Sequence, residues 1–138
     1  MEAPVRPRLV PAVDEETFEA LKSTVRRFVR ERLVPLEREV GDRDEVPDTI
    51  VKEMKDLGLF GTTIPAAYGG LGLTASQEIE LAMEFGWTSP AFRGVFGTTI
   101  GIGSQGIVMD GTEEQKRAFL PKRWCATPPG TTTPERQL

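Results

Sequence analysis

Residues 101–106, GIGSQG, have the G-x-G-x-x-G spacing with which a strand-to-helix turn offers backbone N–H groups to a dinucleotide pyrophosphate. That chemistry depends on context. A buried strand must feed the first glycine and a full helix must begin at the last. An acidic residue should follow about 20 residues on. Here the helix that should follow, residues 107–110 (IVMD), is stopped at once by Gly111. Thr112 and Gln115 then open a new helix through a capping box. Beyond it lies a Pro/Thr-rich tail with no strand pattern. A dinucleotide site through Gly101 and Gly106 therefore lacks both of its flanks and is the weakest of the available readings.

The same stretch also reads as a helix lined with small residues. Gly94, Gly97, Gly101 and Gly106 lie near helical spacing, with Phe96, Ile100, Gly103 and Ile107 on a neighbouring apolar face. Each interior glycine costs roughly 0.8–1 kcal/mol of helix propensity relative to alanine. Packing must hold such a helix, either as a buried core element or as a wall that an elongated apolar ligand approaches. Other chemical groups have simpler explanations. Glu78, Glu80 and Glu84 read as solvated carboxylates on a helix, and Arg26, Arg27 and Arg30 as a solvated face rather than a phosphate site. Gly69 and Gly70 suggest a turn, since the loop lacks the lysine of a phosphate-binding loop.

Composition narrows the classes. The 138 residues allow one domain with a modest core, 38% hydrophobic and 28% charged, as in ordinary soluble proteins. The net charge of −4, with basic residues dispersed among acidic ones, argues against a nucleic-acid surface. There is no histidine, which removes Ser-His-Asp triads and ordinary zinc enzymes. The single Cys125 removes an internal disulfide. The N-terminal residues MEAPVRPRLVPAV read as a proline-rich arm without a signal-peptide core, and no apolar run is long enough for a membrane span. A cytoplasmic location is the simplest expectation.

The elements that must position these groups are helices. Asp14 is placed to cap a helix whose stripe is Phe18, Leu21, Val25, Phe28, Val29 and Leu33. Pro35 predicts a kink or break near Leu33 and Val34, with a short continuation to Val40. Pro47 suits a first helical position ahead of Ile50, Val51, Met54 and Leu57, and Gly58 suits the stop. Residues 62–73 predict an ordered loop anchored by Tyr68. Thr74 and Gln77 form a second capping box before Ile79, Leu81, Ala82, Met83 and Phe85, a run apolar enough to be mostly buried. Ser89 and Pro90 open the glycine-dense helix. The expectation is an all-α bundle of about five helices near residues 14–34, 47–57, 74–86, 90–108 and 112–121, with no strand. Residues 1–13 read as a disordered arm, 14–122 as the domain and 123–138 as a disordered tail.

Three segments in their order and spacing carry a resemblance: PDTIVKEMKDLGL at 47–59, IPAAYGGLG at 64–72, and GTEEQK followed by FLPK at 111–122. Together they resemble the N-terminal helical domain of the acyl-CoA dehydrogenases. Ala66 and Ala67 depart from that pattern, which usually has glutamates there. The resemblance implies a flavoenzyme that oxidises an acyl-CoA thioester to its 2,3-enoyl form. A carboxylate removes the α-proton, FAD takes the β-hydride, and electrons pass to an electron-transfer flavoprotein. Members are usually dimers or tetramers. Their N-terminal domain contributes a wall of the acyl-chain pocket from the segment matching residues 98–105. On this chain that implies substrate contacts from Thr98, Thr99, Ile102, Gly103 and Gln105, with Ile100, Ile102 and Ile107 as apolar lining.

The resemblance also implies further domains: a β-domain with a segment like L-T-E-P-x-A-G-S-D and a C-terminal helical domain with the catalytic glutamate. After Lys122 this sequence gives instead a run ending in PPGTTTPERQL. The expectation is a frameshift or truncation near Lys122, with a natural disordered tail as the alternative. No residue is then the catalytic base, and the chain alone is expected to hold no FAD and to be inactive. The alternative function is a non-catalytic helical module that binds a partner or an acyl group.

Overall fold

The structure, a computed structural model, describes residues 12–124, and the described residues are helical with no strand among them. Helix α1 (Glu15–Phe28) begins where the Asp14 carboxylate accepts the Thr17 backbone N–H at 2.8 Å. Glu15 and Glu16 lie at its positive end, Arg26 and Arg27 at its negative end. Its predicted stripe faces inward: Phe18, Val25, Phe28, Val29 and Leu33 are buried, and Leu21 packs against them. The expected break takes an unexpected form. The backbone widens into a π turn over Val29–Leu33 and tightens into a 3₁₀ turn over Val34–Leu36. Helix α2 (Glu37–Arg43) follows and buries Val40. Pro35 has no N–H to return to the preceding turn, and the change of helical pitch absorbs its ring without breaking the path.

Pro47 caps helix α3 (Asp48–Asp56) from just outside, with an extended ψ of 140°, one position before the predicted one. Ile50, Val51 and Met54 are buried beneath it. Gly58, at φ 77°, ends the helix as expected and donates its N–H to the Lys55 carbonyl at 2.8 Å. Leu59 and Phe60 then turn into the core. The loop that follows folds tightly upon itself. At Gly70 an added Cβ would lie 2.1 Å from the Ile64 carbonyl oxygen and 2.7 Å from that of Gly61, so only glycine fits. Tyr68 is the anchor: its hydroxyl donates to Glu113 at 2.8 Å.

Helix α4 (Ala75–Glu84) carries the predicted capping box between Thr74 and Gln77. The expectation that its apolar run is mostly buried needs correction. Leu81 and Phe85 are buried, but Ile79 and Met83 are 62% and 68% exposed. The helical period turns 77, 81 and 84 inward and leaves 79 and 83 outside. The solvated carboxylates need correction too. Glu84 is buried and receives both Nε and Nη2 of Arg26, at 3.0 and 2.6 Å. Lys22 spans Glu19 and the exposed Glu80. The polar face of α1 is thus partly a docking face for α4, an arrangement that needs the two helices side by side and so escapes a one-dimensional reading.

The long glycine helix is divided. Helix α5 (Pro90–Thr98), with Ser89 accepting the Ala91 N–H, runs into a π turn over Thr99–Gly103 and then helix α6 (Gln105–Asp110). Thr112 and Gln115 exchange the predicted capping hydrogen bonds ahead of helix α7 (Glu113–Trp124), which continues past Pro121. Most of the arm and tail expected to be disordered lies outside the described residues. The core joins α1, α3, α4 and α5, with the Phe96 ring 5.0 Å from Phe85 and 6.2 Å from Phe60.

The Arg26–Glu84 pair has a pH signature. The Arg26 hydrogen bonds hold the Glu84 carboxyl below its ordinary value, outweighing the opposing effect of burial. Its stabilisation is therefore present above the ordinary carboxylate range and fades as the pH falls through the folded-state value. Glu84→Gln should lose about 1 kcal/mol at neutral pH, a modest sum because Arg26 remains half exposed, or roughly 4 °C in Tm. Thermal melts from neutral pH to below about pH 4 should show the difference closing.

Candidate functional site: a cavity and an open wall on the glycine helix

A cavity of about 620 Å³ opens between the tight loop, the start of α4 and the inner side of α5 and α6. Pro65, Ala66, Leu73, Ile79, Ile100 and Val108 supply apolar surface to it. Its polar groups are few. Arg93, on α5, places Nη2 3.7 Å from Oε1 of Glu78 on α4, and Gln105 lies further along the same wall. Burial raises the Glu78 carboxyl above its usual range, with the Thr62 hydroxyl and Arg93 opposing. The Thr62 contact falls short of hydrogen-bond geometry, and Glu78 Oε2 and Thr62 Oγ1 are both buried without a partner. Glu78 is thus a second carboxylate that is not simply solvated.

The π turn explains how one helix serves two faces. Widening by a residue per turn misaligns backbone donors with the usual acceptors. Two hydroxyls compensate. Ser104, fully buried, donates to the Thr99 carbonyl at 2.6 Å, and Thr63 donates to the Ile100 carbonyl at 2.9 Å. Sequence reasoning missed both residues. The available signal was a lone serine at a position the apolar face should occupy.

The residues expected to touch substrate fall on different sides of this helix. Gln105 lines the cavity; Thr98, Thr99, Ile102 and Gly103 do not. Thr98 is exposed and its hydroxyl donates back to the Gly94 carbonyl at 3.2 Å, while Ile102 is 90% exposed. Thr99 and Gly103 are half-buried between the faces. Of the other lining residues, Ile100 is buried at the cavity, whereas Ile107 is half-buried outside its wall. A Cβ added at Gly94, Gly101 or Gly106 would meet nothing within 4 Å. These glycines therefore do not seat another helix of the described chain. They leave an open wall, with Phe92, Phe96 and Ile100 fixing the opposite side in the core. The dinucleotide reading fails here on structure: residues 101–106 lie within the π turn and the start of α6, with a helix rather than a strand before them.

An all-helical domain with one apolar cavity and one open glycine-lined wall is a scaffold for holding an elongated apolar group. Residues 15–124 match the family described as acyl-CoA dehydrogenase, N-terminal domain, and the chain belongs to that family. It is 36% identical over 111 residues to a (2S)-methylsuccinyl-CoA dehydrogenase of Cereibacter sphaeroides, covering 78% of this chain and 20% of that protein. It is 31% identical over 109 residues to the mitochondrial isovaleryl-CoA dehydrogenase of Bos taurus, covering 78% and 26%. Over 116 residues it is 31% identical to the mitochondrial very long-chain specific acyl-CoA dehydrogenase of Macaca fascicularis, covering 84% and 17%. The chain thus spans about a quarter or less of the length of these relatives. Among the described residues, no helix is long and apolar enough to cross a membrane, and no three potential metal ligands cluster.

Ser104 is the direct test of the divided helix. Ser104→Ala should cost about 1–2 kcal/mol in urea unfolding, because it strands a carbonyl in a buried turn. Amide hydrogen exchange should rise across residues 99–105 more than in α1 or α3.

Proposed function

We propose that this chain forms part of the acyl-chain wall of a flavin-dependent acyl-CoA dehydrogenase, which converts an acyl-CoA thioester to the 2,3-enoyl-CoA. The observation that carries the reading is the open face of α5 and α6. Gly94, Gly101 and Gly106 leave space there, beside the exposed Ile102 and Thr98. An acyl chain laid along that face would cover Ile102 and gain burial of roughly 25 cal/mol for each Å² of apolar surface removed from water. Thr98, Thr99 and Gly103 border the path, and Gln105 marks where it meets the cavity. FAD would supply hydride acceptance in the whole enzyme, with an electron-transfer flavoprotein as its partner. The described residues do not fit the flavin by themselves. Their one dinucleotide-like spacing is helical, and Glu78, Glu80 and Glu84 are each engaged by Arg93, Lys22 and Arg26. No proton-transfer step is therefore assigned to this chain, and it is expected to be inactive alone.

A second reading, a non-catalytic helical interaction module, draws on Ile79, Met83 and Trp87, which are exposed at spacings of four along α4 and the turn after it. Concentration-dependent self-association in sedimentation would favour it.

The test of the acyl-wall reading is NMR of the isotopically labelled 138-residue protein titrated with hexanoyl-CoA. Saturable shifts should centre on residues 94–109, with neither enoyl product nor co-purified flavin. Ile102→Asp should weaken that binding about 10-fold or more while leaving stability nearly unchanged, as an exposed position permits. Shifts confined to other helices would sink the reading, and enoyl product would sink the assignment of catalysis to other domains.

A further inference from the structure

We propose that Arg93 equips the cavity beside α5 to receive a free carboxylate at the far end of a short acyl group, so that the favoured thioesters are those of dicarboxylic acids. The inference rests on the acyl-wall reading and adds a substrate class to it. An arginine at an otherwise apolar cavity is costly unless its donors are used. Arg93 is held in place by three contacts, yet its donors are not consumed. Its guanidinium lies 5.6 Å from the Phe96 ring centroid. It folds back across Gly97, where an added Cβ would come within 2.3 Å of Nη1. Glu78 stands 3.7 Å away, beyond hydrogen-bond length, and the described residues offer Arg93 no hydrogen-bond acceptor closer than that. What remains is a positioned planar fork with its donors facing a space of about 620 Å³, within the range of small-ligand pockets. A carboxylate is the group that such a fork accepts through two parallel hydrogen bonds. The Gln105 amide lines the same cavity and offers a further donor. Glu78 is a weak competitor for the arginine, because the burial that disfavours its charge also prevents close contact.

If Arg93 and Glu78 were only an ion pair of the fold, ligand charge would be irrelevant to binding in the cavity. The labelled 138-residue protein should therefore be titrated with monomethyl succinate, an anion, and with dimethyl succinate, its neutral diester. The expected result is saturable shifts at Glu78, Arg93, Gly97 and Gly101 with the monoester, at least about 10-fold tighter than with the diester. Arg93→Met should abolish that preference and Arg93→Lys should retain part of it. Gly97→Ala, which keeps the charge but pushes the guanidinium aside, should weaken monoester binding and serves if the methionine variant does not fold. Equal binding of both esters, no saturable binding of the monoester, or an undiminished preference in Arg93→Met or Gly97→Ala would overturn the proposal. Hexanoyl-CoA separates the two readings. If it still shifts residues 94–109 while the esters fail to discriminate, the wall stands and the carboxylate receptor falls. If the monoester binds at Arg93 but hexanoyl-CoA does not touch the wall, the receptor stands and the acyl wall falls.

Discussion

The constraint on which this structure depends is a helix that its own sequence disfavours. Gly94, Gly97, Gly101, Gly103 and Gly106 together cost roughly 4–5 kcal/mol of intrinsic helix propensity. Tertiary contacts must supply the difference. Phe92, Phe96 and Ile100 do so by burying one side, with Phe96 clasped between Phe60 and Phe85. Thr63 and Ser104 complete the hydrogen bonding that the π turn would otherwise leave open. The tight loop through Gly70 brings Thr63 there, and the Tyr68 to Glu113 bond ties that loop to α7. Much of the surrounding bundle can be understood as support for an element that would not form alone.

The elements most legible in the sequence were those set by local chemistry. Asp14, Thr74, Ser89 and Thr112 each cap the helix they announce, because a side-chain oxygen needs only the next few N–H groups to act. The buried stripe of α1 and the stop at Gly58 were legible for the same reason. What could not be read required a neighbour. The burial of Glu84 depends on Arg26, 58 residues earlier. The exposure of Ile79 and Met83 depends on which side of α4 meets α1.

The candidate site was legible only in outline. Small residues along residues 94–106 indicated that something approaches the backbone, but their spacing could not show whether that was protein or open space. The π turn is invisible to a periodic reading, since it changes the period itself. It moved Gln105 to the cavity while Thr98 and Ile102 stayed on the open wall. Arg93 and Glu78, 15 positions apart in chain and on separate helices, met only in three dimensions.

The wide turn at Thr99–Gly103 is also a length adjustment. A helix that holds one surplus residue in a π turn can lose that residue and become regular without disturbing anything before it. Everything after it would rotate by about 100°. In this chain such a one-residue deletion would swing Gln105 and Val108 away from the cavity while leaving Phe92, Phe96 and Arg93 where they are. The shape of the far end of the pocket is therefore coupled to a single unit of chain length, and variation in length here can remodel what the site accepts without altering the core that supports it.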